Sequence, residues 1–182
     1  MIIKINSYLF SGYLNENIDK NINKFKNLSI IFNPENENSI NCHDIKILRN
    51  YCKTKRIKFF YKNNIKLATQ YKADGVYLSS ENKKFYKNLG NKKLQIIGTA
   101  HSQQEYFIKY NQGCEMVMLS PLFFNKKYPK KRILGVIKFN LITRSWVSKV
   151  GALGGILKTN LKKVYTTSAK SIGFIRLINN QT

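Results

Sequence analysis

The sequence predicts an α/β fold, a closed TIM-type (β/α)8 barrel, and three observations predict it. Eight short apolar runs rich in β-branched and aromatic residues recur along the chain. The segments between them are polar, and several carry helical spacing. No Pro/Gly/Ser-rich linker or low-complexity break divides the 182 residues, so a single domain, 1–182, is expected. Strand and helix in alternation mean parallel strands joined by crossovers. Eight strands favour closure; an open doubly wound sheet is the alternative.

The runs, in order, are residues 4–10, 28–32, 57–61, 75–78, 94–99, 115–119, 148–153 and 171–178. Each is bounded by Gly, Asn, Asp, Ser or Lys, as strands are. Among the connecting segments, "DIKILRNYCKTK" places Ile45, Ile47, Leu48 and Cys52 on one helical face. "SQQEYFIKYNQG" opens with an S-x-x-E capping box, Ser102 and Glu105, and Gly113 stands where a helix ends. In "TNLKKVYTTSAK", Leu161, Val164 and Tyr165 supply the apolar face. A barrel usually takes about 200–250 residues. This chain ends four residues past its last run, so the final helix is expected to be missing.

Composition narrows the class. Apolar residues make up 43% of the chain, enough for a globular core. No apolar run approaches the roughly 20 residues of a membrane-spanning helix, and the start has no secretory cleavage pattern. Three scattered cysteines, Cys42, Cys52 and Cys114, form no metal spacing and fit a reducing cytoplasm. The net charge is +23. Lysine far outnumbers arginine and is spread from end to end, which fits a compositional bias better than a dedicated nucleic-acid surface. Nonspecific, salt-labile nucleic-acid binding is compatible with such charge. Self-association is left open, and a phosphorylated ligand suits either reading.

In a barrel, function sits at the C-terminal ends of the strands, and phosphate is often held after strands seven and eight. Strand seven runs into Gly154-Gly155, in a stretch from Gly151 to Ile156 that carries no charge. Glycine permits close backbone approach and lets N–H groups face an anion. A plain strand-to-helix turn is the other reading of the same pair.

The pair has company. Strand five ends in "TAHS", with Thr99 and His101. Strand six ends in "SPLF", and its loop closes on Tyr128, Pro129, Leu134 and Gly135. "ALGGI" and the last strand follow, and "KADGVYL" stands upstream at strand four. In this order and spacing, over residues 57–178, the chain resembles the thiamine phosphate synthase and thiazole tautomerase family of barrels. The resemblance implies a reaction. An aminopyrimidine methyl diphosphate loses pyrophosphate, and the ring nitrogen of a thiazole phosphate takes up the methylene carbon. Mg2+ is implied as the cofactor that holds the diphosphate. The tautomerase branch only moves protons on the thiazole.

Residue by residue, the resemblance implies metal-binding aspartates after strands three and four. Asn63 and Asn82 occupy those positions, with Glu81 adjacent as a substitute carboxylate. The basic motif expected after strand two is replaced by "FNPENE". Two threonines and a lysine are implied in the strand-six loop; Asn125, Lys127 and Tyr128 stand there, with Lys126 beside them. After strand eight, Arg176 replaces an expected serine and could grip a phosphate bidentately, next to Ile175. Lys62, Thr99, Gly154 and Gly155 complete the implied phosphate and substrate contacts. His101 is the implied acid/base, or else a structural histidine. Trp146 and most of the Tyr and Phe residues read as core. Three functions stay open: a synthase with amide metal ligands, a tautomerase-like or non-catalytic thiazole phosphate binder, and a basic RNA-associated protein.

Overall fold

The computed structural model describes residues 3–34, 41–86, 94–125 and 132–175. Eight strands form a closed barrel: β1 (Asn6–Ser11), β2 (Leu28–Phe32), β3 (Lys58–Lys62), β4 (Gly75–Leu78), β5 (Gln95–Ala100), β6 (Met116–Leu119), β7 (Lys149–Leu153) and β8 (Ser171–Phe174). Every neighbouring pair is parallel, and β8 closes on β1 with Leu9 opposite Phe174. The open doubly wound alternative is therefore excluded. All eight runs read from the sequence are strands; 28–32 and 75–78 keep both bounds, and the others have an end displaced by a residue or more. Ile175 is a bend, so the eighth strand stops earlier than its apolar run.

Period-two alternation sorts the strand residues into two cores. Tyr8, Phe10, Ile31, Phe60, Tyr77, Ile97, Met116 and Met118 fill the barrel interior. Leu9, Ile30, Phe32, Phe59, Val76, Val117 and Ile172 face outward into the layer under the helices. Gly75 is an interior position where a side chain would collide, its Cβ falling 2.4 Å from the Phe60 ring. Phe60 has taken that space.

The helices are α1 (Glu16–Asn21), α2 (Cys42–Thr54), α3 (Ile65–Gln70), α4 (Gln103–Asn111), α5 (Gly135–Thr143) and α6 (Leu161–Val164). The Asn-rich composition has a local use here. Asn15, Asn41 and Asn64 are N-caps whose side chains accept the N–H groups of Ile18, His43 and Leu67. Two apolar faces are narrower than expected. On α2, Ile45, Leu48 and Cys52 are buried, but Ile47 is exposed. On α6, which is a single turn, Leu161 and Val164 are buried and Tyr165 is exposed. Among the described residues no helix joins β4 to β5. The expected absence of a helix after β8 concerns residues 176–182 and lies outside the described residues. No described helix is long and apolar enough to cross a membrane.

Cys52 and Cys114 are buried in this layer and Cys42 is exposed; all three are free thiols. Burial pushes the Cys52 and Cys114 thiols up to about 12. In native protein at pH 8, iodoacetamide should therefore modify one cysteine quickly, and three after urea unfolding, as read by mass spectrometry. Rapid loss of a second thiol in the native state would contradict this burial. The linkage has a definite sign. Each folded thiol lies above its ordinary value of 9.0. The unfolded chain therefore loses these protons first, and stability falls as pH rises from 9 toward 12.

Candidate functional site

The C-terminal ends of the strands carry the predicted residues, and alternation decides which of them face the axis. Lys62 ends β3 at an inward position and is half-buried. His101, just past β5, is also at an inward position. Thr99 lies one layer lower, buried, with its hydroxyl 2.6 Å from that of Tyr77. It belongs to the filled interior beneath the mouth.

Beyond β2, β3 and β4 opens a cleft of about 750 Å³, with Lys62, Asn63, Ser79, Glu81, Asn82 and Lys84 in its wall. The three residues matched to the metal site are thus brought into one cleft. The side chains of Asn63 and Asn82, however, are already engaged. Asn63 adopts a left-handed conformation, φ 55°, which asparagine tolerates better than most residues. Its Oδ1 accepts the Ser79 N–H at 2.9 Å and the Asn82 Nδ2 at 3.3 Å, and its Nδ2 donates to Ser79 Oγ at 3.0 Å. Asn82 Nδ2 also donates to the Tyr86 hydroxyl at 2.8 Å, and Asn82 Oδ1 accepts the Lys84 N–H at 3.0 Å.

A magnesium ion requires oxygen lone pairs and gains most from anionic ones. Both lone pairs of Asn63 Oδ1 are spent on N–H donors. The amide nitrogens of the pair donate and cannot ligate. Among the described residues, Glu81 is the one carboxylate in the cleft wall, and no group of three His, Cys, Asp or Glu residues converges. These described residues do not fit Mg2+.

Sequence reading missed what holds this loop in place. Lys109 of α4 is fully buried, and its Nζ donates to the Asn82 carbonyl at 2.6 Å and to Gln112 Oε1 at 2.9 Å. Gln112 Nε2 donates to the carbonyls of Asn82 and Lys84, at 2.9 and 2.8 Å. Burial holds the Lys109 ammonium below its ordinary value. The signal was present: Lys109 and Gln112 follow Tyr106 at helical spacing, so two polar residues share the buried face.

The capping box at α4 forms only in part. Ser102 Oγ accepts the Glu105 N–H at 3.2 Å. Glu105 Oε2 turns instead to His101, accepting its backbone N–H at 2.7 Å and meeting Nδ1 at 3.1 Å. A carboxylate at Nδ1 favours the tautomer that carries its hydrogen on that nitrogen.

Across the mouth, Gly154 and Gly155 have φ +91° and +69°. The turn packs against the β6 loop, whose Leu122 and Phe123 N–H groups donate to the carbonyls of Leu153 and Gly154. Asn160 closes it from the other side, donating to the Gly155 carbonyl at 2.7 Å and accepting the Leu157 N–H at 2.9 Å. Among the described residues, the Gly154 and Gly155 N–H groups donate to no protein acceptor. Asn125 is half-buried nearby in sequence, and Ile175 is exposed just past β8. Lys126, Lys127, Tyr128 and Arg176 lie outside the described residues.

A family model described as thiamine monophosphate synthase matches residues 33–178. A thiamine-phosphate synthase of Prochlorococcus marinus is 28% identical over 138 residues, 74% of this chain and 40% of that protein. A second, from Prochlorococcus marinus subsp. pastoris, is 27% identical over 135 residues, 71% of this chain and 38% of that protein. The chain thus spans about two fifths of the curated relatives it matches. Thiamine phosphate pyrophosphorylase from Pyrococcus furiosus superposes with TM-score 0.72 at 20% identity, covering 94% of this chain and 85% of that one. The protein of the same name from Bacteroides thetaiotaomicron gives 0.60 at 14% identity, covering 100% and 86%.

Proposed function

The chain belongs to the thiamine monophosphate synthase family, and on that premise we propose that it is a transferase of thiamine biosynthesis. It joins an aminopyrimidine methyl diphosphate to a thiazole phosphate. The ring nitrogen supplies the electron pair of the new C–N bond. The methylene–oxygen bond breaks, and pyrophosphate leaves with the electron pair of that C–O bond.

The observation that carries this reading is the glycine turn after β7. Two left-handed glycines carry N–H groups that meet no acceptor among the described residues. Such a turn presents several dipoles to one small anion. The phosphate of the thiazole is assigned there, with Arg176 as its charged partner. Turnover is assigned a low value, because Asn63 and Asn82 cannot offset cationic charge as carboxylates do. Isothermal titration of thiazole phosphate tests the site. Arg176→Ala should weaken binding about tenfold or more, the loss expected for a charge-assisted pair. Equal affinities would remove Arg176 from the site.

One observation favours a second reading, proton transfer on the thiazole by His101, oriented by Glu105. Deuterium exchange into thiazole phosphate, followed by NMR, should then slow about a hundredfold in His101→Asn. Exchange at the wild-type rate would leave His101 a structural role.

A further inference from the structure

The cleft beyond β3 and β4 has an electrostatic composition that the metal reading leaves unexplained. Among the described residues, Lys62, Lys83 and Lys84 stand in its wall with one carboxylate, Glu81. The loop carrying Lys83 and Lys84 is held at its backbone by the buried Lys109 and by Gln112, through the carbonyls of Asn82 and Lys84. The Asn82 amide fixes the Lys84 N–H in turn. Asn63 Oδ1 accepts from Asn82 Nδ2 and the Ser79 N–H, and Asn82 Oδ1 accepts the Lys84 N–H. Among the described residues the cleft therefore has a hydrogen-bonded floor, one carboxylate, and three lysines in its wall.

A diphosphate group carries two to three negative charges near neutral pH and needs them offset. Lysine is a compact point charge with three donors, able to serve phosphate oxygens from several directions. We propose that this cleft takes a diphosphate group without a divalent cation, with Lys83 and Lys84 supplying the positive charge. The pair Asn63–Asn82 is then a structural bracket for the loop. Its nitrogens and oxygens hold the β3 and β4 ends together, and the electrostatic task falls to the lysines. The identification of the anion's source as the aminopyrimidine ester rests on the transferase reading; the anion site itself rests on the cleft.

The test is calorimetric titration of inorganic pyrophosphate into the full chain, once in excess EDTA and once with Mg2+. Binding in EDTA should be at least as tight as with Mg2+, because the ion competes with the lysines for the same oxygens. Lys83→Ala/Lys84→Ala should weaken it about tenfold. The control pair Lys138→Ala/Lys163→Ala alters exposed lysines on α5 and α6 and should leave affinity within about twofold. Aminopyrimidine methyl diphosphate should displace pyrophosphate from the wild type. Asn63→Asp/Asn82→Asp should reverse the preference, so that pyrophosphate binds only with Mg2+.

Binding that requires Mg2+ in the wild type would overturn the proposal. Equal losses in the two lysine pairs would also overturn it, since the diffuse charge of the chain would then account for the affinity. Failure of the ester to compete would detach the cleft from the substrate and count against it too. The two readings fail separately. Thiazole phosphate binding without pyrophosphate binding removes this proposal and spares the transferase. Metal-free pyrophosphate binding without thiamine phosphate formation does the reverse.

Discussion

Gly155→Ala should destabilise the chain by about 3 kcal/mol, combining a left-handed backbone penalty with overpacking. The added methyl would fall 2.5 Å from the carbonyl oxygens of both Phe123 and Phe124, and φ there is +69°. Those oxygens are backbone, so neither can rotate away. For a chain of this size that loss lowers the melting temperature by roughly 6–12 °C. Gly135→Ala provides the comparison. Its φ is +65°, but nothing lies within 4 Å of the added carbon. It should cost only the conformational term, about 1 kcal/mol. Thermal unfolding of the two variants side by side separates close approach from backbone freedom. Equal shifts would mean that the β6 loop yields, and that Gly155 is chosen for its dihedral alone. The same substitution pushes the β6 loop off the turn, so thiazole phosphate affinity should fall with stability.

The barrel was legible because its determinants are local. Each strand is an apolar run long enough to cross the barrel once, such as "LSIIF" and "KFFYK", bounded by turn residues. The glycine turn was legible for the same reason, since two adjacent glycines announce themselves. Boundaries moved where the run and the ladder differ. The run at 171–178 continues to be apolar after Phe174, but pairing with β1 and β7 ends there. Ile47 and Tyr165 were misassigned because helical periodicity gives a face about 100° wide, and its edges look apolar in the sequence while facing solvent. The site was legible only as positions. Matching placed Asn63, Glu81 and Asn82 at the mouth, and they do line one cleft. What the amides do there depends on partners 16 to 30 residues away, Ser79, Tyr86, Lys109 and Gln112 among them. The helical spacing of Lys109 and Gln112 behind Tyr106 is the one local trace of that network. Lys109 was hidden by its type, because a lysine on a helix is ordinarily solvated.

Asn63→Asp/Asn82→Asp should convert the bracket into a metal site, with a large and sign-changing effect. In EDTA the double variant should be less stable than the wild type. Asn82 Nδ2 now donates to Asn63 Oδ1 at 3.3 Å, and two carboxylates in that place would repel. Mg2+ offsets that repulsion and should stabilise the variant by about 2.7 kcal/mol at a hundredfold excess over its dissociation constant. The wild type, with its amide oxygens engaged, should melt at the same temperature with and without the ion. A wild-type melting temperature that climbs with Mg2+ would show that Glu81 and the amides do ligate it.

The most direct measurement mixes the wild-type chain with aminopyrimidine methyl diphosphate and thiazole phosphate, with Mg2+ or with EDTA, and quantifies thiamine phosphate over time. A transferase of this family whose lysines have replaced the metal should form thiamine phosphate slowly, at one rate in both buffers. In the same assay Asn63→Asp/Asn82→Asp should be faster with Mg2+ and silent in EDTA. Fast wild-type turnover that vanishes in EDTA would contradict the account: the cleft would be a working magnesium site, and the amides at 63 and 82 adequate ligands for it.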